Sequence, residues 1–522
     1  MKKIVIIAGL LGLCTTFPSC ELDKFPETGY NEHNVTDNGD DTDSAIKTRE
    51  DLSGQLTAMY NFMRGDNCQT VWYQNITAAD CRADNAYGGG DSGKPTEVEA
   101  NTFNSDNEIP TNLWDGLMNG VNAANQVICN MDAVKANDPS LTESEYQSWR
   151  SQALCWRAYC WLMMTQYFGE IPMLTEIPPA ITSDNIEEVY PLYFPKRVDA
   201  ETLKAQLDSD LDYACKYAPD YNAADKSIIT KGFAYGLVAK MYALKQYRDW
   251  GKVKSACEAV EGMGYSLCDK YSDMWDYVNT GSKEQNNLVQ TTVKNTRESI
   301  FELQWEDPAA GHWIWMMFYR DAFDPNNAFS WIKWCTPSRN LAAAYDAEGD
   351  TERKNISIRY DACSWEALYP KDNYAFMGKF PTNISTLYVM RYADILLLHA
   401  EALANTGDPS GAANIVDDIR DRAKIAKLTS AQRGSAEAMQ EAVLHERRLE
   451  LAFEGQRWFD LMRYGNDYSK LKEIHDNANV KGTASYDAYT AIRTPLNDNH
   501  VLMPIPTGVL ENNPNLEQNL GW

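Results

Sequence analysis

Apolar positions recur close to every 3.6 residues over 52–62, 113–131, 149–168, 198–217, 228–247 and 253–261, and again over 389–404, 412–423 and 439–453. That period lays one apolar stripe along each segment and predicts amphipathic helices. Gly-Glu-Ile-Pro at 169–172 and Gly-Met-Gly-Tyr at 262–265 supply helix stops. Two predicted helix pairs, 228–262 and 391–423, each close within about 34 residues, the length of a tetratricopeptide repeat. In the first pair Ala234, Gly236, Ala239 and Tyr242 leave room for close contact; the second turns at Thr406-Gly-Asp-Pro409. The stretches 65–112 and 270–385 show no sustained period and only short strand-like runs such as 299–305, and they are predicted to be loop-rich. The expected fold is therefore mainly α: tetratricopeptide-like helix pairs, with scaffold over about 113–262 and 387–465, packed against an irregular, loop-rich subdomain. Long irregular segments on a rigid scaffold usually carry function.

The ends of the chain add a location. Lys2 and Lys3, a short apolar run over 4–13, and Phe17-Pro-Ser-Cys20 form the pattern of a lipoprotein signal over 1–19, with Cys20 as the acylated residue. The apolar run is shorter than the roughly 20 residues a spanning helix needs, whereas two or more acyl chains anchor stably. Residues 20–45, rich in Asp, Asn, Thr and Gly, are expected to be a flexible tether, because their acids do not follow the spacing of a calcium loop. Residues 46–522 are expected to form a single binding domain on that tether.

Charge narrows the partners. The formal net charge is −26, and loss of Lys2 and Lys3 with the signal makes it −28. Such a surface excludes nucleic acid held through phosphates and suits a neutral ligand. Enzyme patterns fail: His445-Glu446 lacks the second histidine of a zinc protease, there is no Gly-x-Ser-x-Gly elbow, and six unclustered histidines argue against a metal. No catalytic residue, cofactor or metal is expected. No Cys-x-x-Cys occurs; buried thiols are expected, with a Cys257–Cys268 disulfide left open.

Two loops carry binding chemistry. Between Trp305 and Trp334 lie five of the fifteen tryptophans, with Phe318, Tyr319, Phe323 and Phe329, polar residues interleaved and no helical period. Sugars present flat C–H faces to aromatic rings and hydroxyls to polar side chains. Trp313, Trp315, Tyr319 and Trp331 are the candidate stacking residues. The second loop, 80–91, supplies Arg82, Asp84, Asn85 and Tyr87 beside three successive glycines. It is no phosphate loop, since no Gly-Lys-Ser/Thr follows.

Residues 445–464, HERRLELAFEGQRWFDLMRY, form a helix pattern with Leu449, Ala452 and Phe453 inward and Glu446, Arg447, Glu450 and Glu454 spaced for ion pairs at three- and four-residue intervals, before a stop at Gly455. This run resembles the C-terminal signature of the SusD/RagB family of Bacteroidetes nutrient-binding lipoproteins. The helix opening at Tyr388-Val-Met-Arg-Tyr-Ala-Asp394, the Leu502-Met-Pro-Ile-Pro506 turn and the ending Asn513-Pro-Asn through Trp522 are similar to further family features, in the expected order. The resemblance implies a surface protein anchored in the outer membrane by Cys20, Glu21 and Asp23 being similar to an export signal to its outer face. It further implies capture of an oligosaccharide for a SusC-like TonB-dependent transporter, with a sugar site built from an early loop and a mid-chain aromatic loop. Peptide capture, as in RagB-like relatives, and a surface glycoside hydrolase are the alternatives.

Overall fold

The computed structural model describes residues 46–89, 92–182, 184–275, 277–280, 289–307, 311–312, 314–318, 334–363, 368–478 and 493–522, with backbone only at 277–280, 289–291, 315 and 316. The signal, the tether and Cys20 fall outside the described residues. The chain divides into two compact units, and Ile46–Pro178 with Glu187–Trp522 forms the large one; Pro179–Ile186 belongs to the small one. The large unit holds the helical scaffold and the chain on either side of both candidate loops.

Its described residues are mostly helical, with five two-stranded antiparallel pairs among them. The Arg49–Arg64 helix opens on a Thr48–Asp51 capping box, and Glu143–Phe168 on a Thr142–Glu145 box, so both begin where side chains satisfy the first free N–H groups. Glu143–Phe168 packs between Glu108–Ile128 and Ala200–Tyr217. Lys231–Ala243 folds back on Trp250–Glu261, and Tyr392–Asn405 on Pro409–Arg422, as the 34-residue spacing predicts. A Cβ on Gly236 would lie 2.2 Å from Met390 Sδ, so glycine is what permits this contact between the first pair and the strand beneath it.

Three expectations are corrected. The segment 65–112 contains a helix, Asp66–Cys81, whose polar face does not exist: thirteen of its sixteen residues are buried, including Gln69, Gln74, Asn75 and Thr77. A helix buried all round leaves no amphipathic period to detect. Residues 387–391 form a strand paired with Ser299–Leu303, and the helix starts at Tyr392 rather than 389. The helix of the signature run ends at Glu450, five residues before Gly455. In addition, Arg339–Glu348 and Thr351–Ser357 are helical inside the region expected to be loop-rich.

Cys257 and Cys268 are both buried and no disulfide joins them. No helix among the described residues is long and apolar enough to cross a membrane.

Candidate functional site

The early loop begins at the end of the Asp66–Cys81 helix, and its polar side chains turn inward. Asp80 accepts from Asn85 Nδ2 at 2.8 Å and from the Phe453 N–H at 3.2 Å, and burial pushes its carboxyl up to about 6. The Arg82 guanidinium lies 3.9 Å over the Trp458 ring and donates to the carbonyls of His500 (2.7 Å) and Val501 (3.3 Å). Asp84 accepts from Arg457 Nε at 2.8 Å and from Arg448 at 3.1 Å. Burial alone would raise the Asp84 carboxyl; the two guanidinium groups overcome it and hold the group well below the usual carboxylate range. Asn85 Oδ1 accepts from Arg448 Nε at 3.0 Å, and Tyr87 Oη accepts from the Arg339 N–H at 3.1 Å. Arg82, Asp84, Asn85 and Tyr87 are all less than a tenth exposed. All four are buried and most of their hydrogen-bonding groups are engaged by protein, while Arg82 Nη1 is buried with no partner among the described residues.

These interior groups nonetheless position the second loop. Ala86–Gly88 pairs antiparallel with Cys335–Pro337, in register Tyr87 to Thr336. Ser338 Oγ donates to the Asp84 carbonyl at 2.7 Å and the Ser338 N–H to that of Asn85 at 2.8 Å. A Cβ on Gly88 would lie 2.3 Å from the Pro95 carbonyl oxygen, so only glycine fits where the chain crosses there. Upstream, Ile314–Phe318 is anchored by buried Ile314, Met317 and Phe318. The Trp334 N–H donates to the Met317 carbonyl at 2.9 Å. Phe318 and Trp334, the described residues on either side of 319–333, are thus both held in buried framework.

The framework takes some of the aromatics with it. Trp305 is 6% exposed and sits edge-on to His312, centroids 4.6 Å apart; Trp334 is equally buried and edge-on to Tyr73 at 5.3 Å. His312 Nε2 pairs with the Ser385 carbonyl at 3.0 Å, and burial drops its ring to about 3. Trp305, Phe318 and Trp334 are thus core. Trp313, Tyr319 and Trp331 lie outside the described residues, as does the side chain of Trp315, whose backbone is helical.

The signature run, from the helix Ala436–Glu450 onward, joins distant parts of the chain through buried ion pairs. Glu450 accepts from Arg391 at 2.6 Å, from Arg353 at 3.1 Å and from Arg422. Glu446 pairs with Arg353 at 2.7 Å and Arg420 at 2.9 Å; Glu454 with Lys379 at 2.6 Å and Arg391 at 2.7 Å. Arg447 bridges Asp394 at 2.7 Å and Asp460 at 2.9 Å. All these side chains are nearly or wholly buried. The pairing is thus between elements, not along the helix at the three- and four-residue intervals expected. Its missed members, Arg353, Lys379, Arg391, Arg420 and Arg422, carry one signal in the sequence: charges set inside apolar runs, such as Arg391 between Met390 and Tyr392.

Among the described residues no group of histidine, cysteine or acidic side chains is placed to hold a metal ion. The class these residues define is a helical-repeat scaffold knitted by buried ion pairs between its elements. Residues 379–522 match the model of the SusD family, and residues 37–243 match a model described as starch-binding associating with outer membrane. SusD-like protein P2 of Formosa agariphila is 23% identical over 91% of this chain and 93% of its own length. A SusD homologue from Bacteroides thetaiotaomicron shares the fold with a TM-score of 0.71 at 18% identity, over 91% of this chain and 98% of that one. Surface glycan-binding protein A from Bacteroides uniformis does so with a TM-score of 0.67 at 20% identity, over 90% and 99%. The chain belongs to the SusD/RagB family.

Proposed function

We propose that this protein is a cell-surface lipoprotein, anchored in the outer membrane through Cys20, that captures an oligosaccharide and passes it to a SusC-like TonB-dependent transporter. The observation that carries the reading is the bracketing of residues 319–333: a segment containing Tyr319, Phe323, Phe329 and Trp331 starts and ends on one hydrogen bond between buried residues. The family description naming starch and the outer membrane supports the ligand class and the location, as does the glycan-binding name of the Bacteroides uniformis structure.

In this reading the work is binding, with no bond broken. Trp313, Trp315, Tyr319 and Trp331 stack on pyranose faces, and the early strand acts as their support rather than as a second contact. The test is a glycan array on the full-length protein, followed by alanine variants at the four positions against the best oligosaccharide. Removing a central stacking ring should weaken binding by roughly 2 kcal/mol, about thirtyfold in Kd, at unchanged melting temperature. Wild-type affinity in all four variants would place the platform elsewhere, and release of reducing ends from the bound glycan would replace capture with hydrolysis.

A further inference from the structure

The C-terminal helices enclose a second recess, and none of its lining residues belongs to the early loop or to the region between Trp305 and Trp334. Its volume, about 470 Å³, is that of a small-ligand site. Trp250, the first residue of its helix, and Tyr464, just past Arg457–Arg463, form an aromatic wall and are each only partly buried. Arg248 is pinned by the carbonyls of Gly465 (2.7 Å) and Arg463, and its guanidinium lies 5.3 Å from the Trp250 ring centroid, so the indole has a fixed neighbour.

The base of the recess is polar. Asp460 is 2% exposed; its Oδ1 serves Arg447 and Arg463, while Oδ2 has no partner among the described residues. A buried carboxylate oxygen without a donor is costly, and a ligand hydroxyl would relieve it once the lining side chains move aside, since the oxygen is fully covered in this conformation. Glu401 is engaged by Arg463 at 2.8 Å. The lining charges cancel, two arginines (Arg248, Arg463) against two acids (Glu401, Asp460), so neither an anion nor a cation is favoured. Gln440 Nε2 donates to Asn405 Oδ1 at 3.0 Å, which orients its amide, and the exposed Asn466 amide adds both a donor and an acceptor. A neutral molecule with one flat C–H face and several hydroxyls matches this set.

We propose that the recess is a second carbohydrate site, taking one neutral pyranose unit stacked on Trp250 with its hydroxyls toward Asp460, Gln440 and Asn466. It extends the glycan reading to a separate place and draws on none of the residues that carry that reading. Saturation-transfer NMR of the full-length protein in a non-glycosidic detergent tests it, with the methyl glycosides of glucose, galactose, mannose and xylose as probes. At least one glycoside should receive saturation from the wild type. Trp250→Ala and Gln440→Ala should each weaken it about tenfold, the latter at unchanged melting temperature because its amide is at the rim, while Trp331→Ala leaves it intact. Saturation lost in Trp331→Ala but kept in Trp250→Ala and Gln440→Ala would overturn the second site and leave glycan capture standing. No saturation of any methyl glycoside by the wild type would also overturn it, with capture still decided separately by the oligosaccharide array.

Discussion

Asp84 and Glu450 each gather guanidinium groups from parts of the chain far apart in sequence, and each is fully dependent on them. Arg457→Ala would leave Asp84 buried with half its compensation. Breaking such a pair from one side costs about 3–5 kcal/mol, so the melting temperature should fall while the order of preference among glycans stays the same. A selective loss of binding at unchanged melting temperature would put the signature in the site instead. Glu450 adds a pH dependence. Burial alone would raise its carboxyl; Arg422, Arg391 and Arg353 instead hold it below its unfolded value. Its stabilisation is therefore fully present above about pH 5 and is lost as the pH falls toward the depressed folded value. Thermal melts between pH 7 and pH 3 should show the wild type destabilised by acid. Glu450→Gln should start lower at pH 7 and lose less on acidification; a parallel decline would assign the acid sensitivity to other carboxylates.

At the scale of elements, the early loop is paired with the strand that follows the aromatic stretch. Ala86–Gly88 and Cys335–Pro337 pair, so whatever disturbs the first moves the base of the second. Gly88→Ala would force a Cβ against the backbone of Pro95 and Thr96, which cannot swing aside as a side chain tip can. The expected result is a loss of about 1–3 kcal/mol in stability together with weaker glycan binding, read by thermal melts beside affinity electrophoresis. Unchanged binding in a destabilised variant would separate the early strand from the aromatic loop. The Asp66–Cys81 helix that leads into this strand was hidden for a plain reason: with Trp72, Tyr73, Gln74, Asn75 and Ile76 buried in succession, its sequence alternates by neither helical nor strand period.

For the whole molecule, function depends on where the scaffold is held. The proposed attachment is through Cys20 and its acyl chains, so Cys20→Ala should fold, bind glycan and appear in the soluble fraction on cell fractionation. Retention of that variant with the membrane would mean that another segment or partner anchors it. The strongly acidic chain favours contact with a cationic patch over anionic lipid headgroups.

The sequence by itself determined what depends on local period and order: the amphipathic helices, the two 34-residue hairpins, and the family through motifs that run from Tyr388 to Trp522. It also found the charged signature and its scaffold role, because Glu446, Glu450 and Arg457 sit among residues that must turn inward. Only the tertiary structure decided who pairs with whom. Arg82, Asp84, Asn85 and Tyr87 have the composition of a sugar-binding loop, and the same groups satisfy arginines, carbonyls and a tryptophan from elements more than 250 residues away. A hydrogen-bonding side chain carries no mark of whether its partner is a ligand or a distant helix. Burial settles that, and burial is a property of the assembled core.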